Sequence, residues 1–287
     1  LLLHGWPDSF YRFHKIIPML TDPVAHGGDA ADAFDVVAPS IPGYGFSSPL
    51  GKGVTGESVV AGLVQLMTQT LGYPHFAVHG GDVGSGLTEQ IALHHADVVV
   101  GIHLTDIPYW HVFTMAQEDL SAAEQQYLAA GQAWGQREGA YAMLQSTKPQ
   151  TLAYGLNDSP VGLAAWIVEK FHGWSDNGGD LERCFSKDEL LTNIMLYWVT
   201  ETINSSFRPY YGGPQPSSSV PAARVETPTG VASFPKDLVP APRDFAERFF
   251  NIQHWTEMPR GGHFAALEEP ELLVDNLRAF FRPLRKA

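Results

Sequence analysis

A chain of 287 residues, 44% of them hydrophobic and 17% charged, has material for one large α/β domain or two smaller ones around a sizeable core. With 31 acidic against 18 basic residues its formal net charge is −13, which repels phosphate backbones and anionic lipid and argues against nucleic acid and membrane surfaces as partners. The one cysteine, Cys184, excludes an internal disulfide and a cysteine-rich metal site and fits a reducing, cytoplasmic setting; no run approaches the roughly 18 apolar residues of a membrane span.

The first residues, "LLLHG", form an apolar run ended by glycine and predict a strand at the very start of the chain. With no initiator methionine or signal peptide before it, an upstream segment is expected to be missing, and with it any anchor or targeting signal it carried. "SFYRFHKIIPML" (9–20) predicts an amphipathic helix capped by Ser9, and "FDVVAPS" (34–40) a second strand. A helix over 57–71, stopped by Gly72, precedes a third strand at "HFAVHG" (75–80). "DVGSGLTEQIALHHA" (82–96) then reads as a helix and "VVVGIHLTDI" (98–107) as a fourth strand. Strands alternating with helices imply right-handed crossovers and a mainly parallel sheet covered on both faces.

The alternation stops after residue 107. From 108 to about 211 the segments "SAAEQQYLAAGQAWGQREGAYAMLQ", "PVGLAAWIVEKFHGW" and "SKDELLTNIMLYWVTETINSSF" are all helix-like, and "YGGPQPSSSVPAA" (211–223) reads as a connector. A strand at 224–233, a helix at 241–250, a strand at 251–259 and a helix at 269–284 resume the pattern. The expected organisation is one sheet domain in two parts, 1–107 and 222–287, with a helical lid over 108–221 inserted after the fourth strand. Such an insertion can cover the carboxyl ends of the strands, where open α/β sheets bind ligands.

"VHGGDVGSGLTEQ" (78–90) has the layout of a nucleophile elbow, an apolar strand and small residues around one polar side chain at the start of a helix. That residue is Asp82; its bland alternative is a helix N-cap. "HGWP" (4–7) follows the first strand, where a loop can aim backbone N–H groups at a cleft, and the best donors are those of Trp6 and Val83. His4 is expected to be a structural loop histidine and His79 a packed one. "RGGHFAALEEPELL" places His263 after the last strand, behind two glycines, in the order nucleophile, acid, histidine. The orienting acid is expected at Asp237, in "FPKDL", with Asp106 as the rival at the end of "VVVGIHLT".

A carboxylate at the elbow is suited to displacement at a saturated carbon, forming an alkyl ester that a histidine-activated water then hydrolyses. Epoxides and alkyl halides fit that chemistry. An epoxide needs a proton donor for its oxygen, and Tyr141 and Tyr210 in the helical region are the candidates, with Tyr154, Tyr197 and Tyr211 competing on spacing. A halide needs N–H donors, and Val83 offers none from its side chain. Aromatic residues of the insertion (Trp110, Phe113, Trp134, Trp166, Trp198) suggest an apolar pocket. The competing readings are a haloalkane dehalogenase, a ligand-binding protein without turnover, and a serine esterase using Ser85, which the glycine spacing disfavours.

Taken together, "HGWP", "APSIPGYGFS", "GGDVGS", "STKPQTLAYGLNDSPVGLAAWIVEKF", "LLTNIMLYWVTETINSSFRPYY", "FPKDL" and "RGGHFAALEEPELL" resemble the microsomal-type epoxide hydrolases of the α/β-hydrolase superfamily, over essentially the whole chain. The resemblance implies an α/β-hydrolase fold with a helical lid, an epoxide as small-molecule partner, and no cofactor or metal. It implies Asp82 as nucleophile, His263 as base, Asp237 as charge-relay acid, Tyr141 and Tyr210 as proton donors, and backbone donors near Trp6 and Val83. Three features depart from it: Asp237 stands where the branch often has Glu, Val83 where it commonly has Trp, and the branch's long region before "HGWP" is absent. The substrate's identity and selectivity are not legible, and a homodimer is left open.

Overall fold

The computed structural model describes residues 1–48, 51, 55–115, 119–211 and 223–285. Five parallel strands, β1 (Leu2–Leu3), β2 (Phe76–Gly80), β3 (Val99–Leu104), β4 (Val225–Ser233) and β5 (Phe250–Glu257), form one sheet in sequence order. Central strands covered on both faces have no polar side to present, which is why β3 is buried at every position except Val100. On one face Leu3, Val78, Ile102 and Val231 pack with Val60, Leu63 and Ile91 from the helices Gly56–Gln65 and Val83–His94. On the other, Leu2, Phe13, Ile16 and Phe234 meet Leu273, Leu277, Phe280 and Phe281 of Pro270–Leu284.

Two expected elements differ. "FDVVAPS" is not a strand: Val37 accepts one hydrogen bond from the Leu2 N–H at 2.8 Å, and β1 beside it spans only two residues, too little backbone for a ladder. The expected helix over 9–20 is split into a 3₁₀ turn Phe10–Phe13 and a helix Ile16–Thr21. Pro18 has no N–H to give and its ring crowds the carbonyl four residues back, so a continuous helix cannot form. Ser9 does cap the first turn, accepting from the Tyr11 N–H.

Between residues 111 and 211 the described residues hold helices and no strand. Ser121 with Glu124 and Ser186 with Glu189 make capping boxes that start Ala122–Glu138 and Lys187–Thr200, while Pro149 and Pro160 occupy first turns that need no proline N–H. Their apolar faces close a third core in which Trp6, Tyr141, Phe171, Trp174, Phe207 and Phe264 are buried. Most of the expected 211–223 connector, residues 212–222, lies outside the described residues.

The β2 turn fits because its glycines carry no side chain. A Cβ on Gly84 would lie 2.1 Å from the Leu3 carbonyl oxygen, and one on Gly80 2.2 Å from that of Gly84. Both obstacles are backbone and cannot rotate away. Gly84→Ala is therefore expected to lower the unfolding free energy by about 1–3 kcal/mol, measurable by denaturant titration, and an unchanged midpoint would contradict this packing.

Candidate active site

β2 ends at Gly80, and the helix Val83–His94 begins three residues later. Asp82, at the bend, adopts φ 57° and ψ −125°, a backbone region that costs a non-glycine residue about 1–3 kcal/mol. It occupies the N-cap position, yet its side chain makes no capping hydrogen bond. Instead Oδ1 accepts from the Trp6 N–H at 2.8 Å. Gly5 must be glycine, because a Cβ there would come within 2.3 Å of Asp82 Oδ1.

Asp106 holds the bend from beneath. Its Oδ1 accepts from the Asp82 N–H at 2.7 Å, and Ser85 Oγ lies 2.8 Å from its Oδ2 and 2.7 Å from the Asp82 carbonyl oxygen. It is thus bonded to the backbone of the elbow, whereas the imidazole of His263 is bonded elsewhere. His263 Nδ1 lies 2.6 Å from Asp237 Oδ1, and its Nε2 lies 3.6 Å from Asp82 Oδ2. Asp237 is fixed by the Lys236–Gly262 bridge next to it and by the Leu238 N–H, which donates to Oδ1 at 2.6 Å.

The loop carrying Trp6 is tied down by a buried ion pair. Asp8 Oδ1 accepts from the Gly5 N–H at 2.9 Å, and its Oδ2 lies 2.6 Å from Arg12 Nη1. Arg12 Nη2 in turn donates to the His263 carbonyl oxygen at 3.0 Å. His4 serves the same loop, its Nε2 accepting from the Ile41 N–H at 3.0 Å. His79 is buried against His103, with 3.1 Å between their Nδ1 atoms.

Tyr141, on Ala140–Thr147, stacks on the Trp6 ring with centroids 5.1 Å apart and planes 7° apart. Tyr210, on Arg208–Tyr211, meets Trp6 edge-on at 6.0 Å and Tyr141 at 5.8 Å. The competing tyrosines are elsewhere: Tyr154 and Tyr211 are exposed, and the Tyr197 hydroxyl donates to the Asp8 carbonyl. Of the insertion's aromatics Trp134 borders the site at 6.4 Å from Tyr141, whereas Phe113 is exposed. Trp174, which no sequence motif singles out, is buried edge-on to the His263 imidazole at 5.5 Å.

Burial alone lowers the His263 pKa, but the Asp237 charge and hydrogen bond, joined by the Asp82 charge, outweigh it and raise it to about 9. Burial raises the Asp82 pKa, with the His263 charge and the N–H groups of Trp6 and Val83 pulling the other way. Asp106 is pushed up to about 7, by burial first and then by the charges of Asp237 and Asp82. Burial and the charge of Asp82 hold Tyr141 and Tyr210 above the ordinary tyrosine value, so both are protonated at neutral pH. The arrangement thus brings together a carboxylate with a backbone N–H donor, a carboxylate-bound imidazole and, around the Trp6 ring, two protonated tyrosines.

Among the described residues no cluster of His, Cys, Asp or Glu is arranged to hold a metal ion, and no helix is long and apolar enough to cross a membrane.

Residues 1–138 match the α/β hydrolase fold family. A Stigmatella aurantiaca protein is 46% identical over 287 residues, covering 99% of this chain and 64% of its own length. Epoxide hydrolase 1 of Sus scrofa is 40% identical, with 98% of this chain and 67% of the relative covered. The chain thus spans about two thirds of these curated relatives. The crystal structure of juvenile hormone epoxide hydrolase from Bombyx mori superimposes with a TM-score of 0.83 at 29% identity, over 99% of this chain and 72% of that one. The Aspergillus niger epoxide hydrolase gives 0.80 at 30% identity, over 99% and 71%.

Proposed function

The chain belongs to the epoxide hydrolases of the α/β-hydrolase superfamily, and from that premise we propose that it converts an epoxide and water to a vicinal diol through a covalent ester on Asp82. The observation that carries the reading is the line Asp237–His263–Asp82, with 2.6 Å and 3.6 Å between successive side chains, beside two tyrosines packed around the Trp6 ring. Within it, residues 1–107 and 222–287 act as the core, and the lid, 108–221, brings the tyrosines.

An Asp82 oxygen attacks an epoxide carbon, the carbon–oxygen bond breaks, and Tyr141 or Tyr210 gives its proton to the departing oxygen. Esterification removes the Asp82 charge, one of the groups that keep His263 protonated. The imidazolium then gives its proton up more readily, through solvent to the tyrosinate left by ring opening, and the neutral imidazole takes one from a water that attacks the Asp82 carboxyl carbon. The negative charge that develops on the carboxyl oxygen faces the N–H groups of Trp6 and Val83. Asp237 holds the imidazole in orientation and balances its charge. Collapse breaks the bond between the carboxyl carbon and the substrate-bound oxygen, which leaves as the diol with the imidazolium proton; the new carboxyl group passes its proton to the imidazole, restoring Asp82 and the protonated His263. Aromatic walls from Trp6, Trp134 and Trp174 favour an apolar substrate.

The test is diol production from an aryl epoxide, followed in single turnovers across pH. Ring opening needs ionised Asp82 and is expected to fall as pH drops through its raised pKa. Ester decay needs neutral His263 and is expected to rise with pH and level off below about 9, because the Asp82 charge is gone. No diol, or an ester-decay phase that falls with rising pH, would refute the assignment.

A further inference from the structure

One carboxylate beside the proposed machinery is not used by it. Glu268, on the short helix Ala265–Glu268, turns both oxygens back toward the loop that carries His263. Oε1 accepts from the Phe264 N–H at 2.9 Å, and Oε2 from the Gly262 N–H at 3.0 Å, so the residues on either side of His263 are gripped by the same side chain. Oε2 also accepts from the Asp176 N–H at 2.8 Å, which belongs to the segment after the insertion's helix Pro160–Gly173.

That segment is stitched to the histidine loop independently. The His263 N–H donates to the Trp174 carbonyl at 2.8 Å, and the Gly261 N–H to Asp176 Oδ2 at 3.1 Å. The two backbones touch, since a Cβ on Gly262 would lie 2.7 Å from the Trp174 carbonyl oxygen and 2.8 Å from Ser175 Cα. Three N–H donors converging on one side chain require a group that only accepts. An ionised carboxylate meets that need, the three N–H groups opposing the burial that raises the Glu268 pKa to about 7; an amide would turn an NH₂ against at least one of them.

We propose that Glu268 is a positioning residue for the hydrolytic half of the reaction: it binds the His263 loop and residues 174–176 into one unit, holding the imidazole where it can activate water on the Asp82 ester. This rests on the reading of His263 as the base. Ring opening does not need the imidazole to act as a base, so the two half-reactions separate on Glu268. Angular freedom at the imidazole weakens only the second.

The experiment uses the full chain and styrene oxide as probe, with rapid quench resolving ester formation from ester decay. In Glu268→Gln, ester formation is expected to stay within about 3-fold while ester decay slows about 10- to 100-fold, the scale on which small misplacements act. kcat and KM should fall together, and the burst should still account for all folded enzyme, since mere destabilisation would shrink that amplitude instead. Asp176→Asn, which weakens the second stitch and keeps the backbone N–H that Glu268 accepts, should slow decay in the same direction by a smaller factor. Parent-like ester decay in Glu268→Gln, or equal slowing of both phases, overturns the proposal. Should Glu268→Gln not fold, unchanged decay in Asp176→Asn overturns it. A parallel His263→Gln that turns over at the parent rate would overturn the base reading itself, whereas a stalled His263→Gln beside an unaffected Glu268→Gln removes only the role of Glu268.

Discussion

His263→Gln is expected to stop turnover with the substrate still attached to Asp82. The geometry separates the two roles, because the imidazole Nε2 stands 3.6 Å from Asp82 Oδ2 while its Nδ1 is held by Asp237. Attack on the epoxide needs only the carboxylate and a proton donor, so the ester forms. Its hydrolysis needs a base, and loss of a general base costs roughly 10²- to 10⁴-fold. Intact-protein mass spectrometry after incubation with an epoxide should show one adduct equal to the substrate mass, localised by peptide mapping to 80–85. Asp82→Ala should show neither adduct nor diol. Absence of the adduct in the histidine variant, or an adduct on Asp106 in its place, would mean that the nucleophile has been misassigned.

The double change Tyr141→Phe with Tyr210→Phe comes second, and its effect falls on the opposite half of the cycle. The two tyrosine rings pack against each other and around the same Trp6 ring, so either can serve when the other is lost. A single change is expected to slow ring opening about tenfold, whereas the double change removes general-acid assistance, roughly 10²- to 10⁴-fold. The decay of pre-formed ester should be far less affected. Trp6 should remain stacked, because the ring of Tyr141 survives as phenylalanine. Single turnovers on the three variants decide the matter; a double variant that opens the ring at the parent rate would exclude both tyrosines as donors.

Much of this arrangement was legible in the residues because it depends on local chain geometry. A strand, two glycines, Asp82 and a helix spell the bend directly, and Asp237 and His263 each follow a β-strand. The boundary at "FDVVAPS" was not legible, since a strand exists only if a neighbour supplies a ladder and apolar pattern alone is silent on neighbours. Pro18 was a readable break that the amphipathic pattern of 9–20 masked. Trp174, Glu268 and the elbow-holding function of Asp106 escaped for another reason. Trp174 lies in a bend with no chemical motif of its own, and Glu268 reaches Asp176 across 92 residues. Asp106 competes for the acid's place on chain order alone, and its bond to the Asp82 amide rather than to an imidazole arises only when the fold brings β3 beside β2.

Arg12 carries a last implication. One guanidinium contacts Asp8, which anchors the Trp6 loop, and also the carbonyl of His263. The amide that would cradle the oxyanion and the ring that would prime the water are therefore tied through one guanidinium. Insertion side chains that make no contact with the His263 loop, such as Trp134, can thus change which molecules are admitted without disturbing that tie, whereas changes at residues 174–176 would reach the hydrolytic step as well.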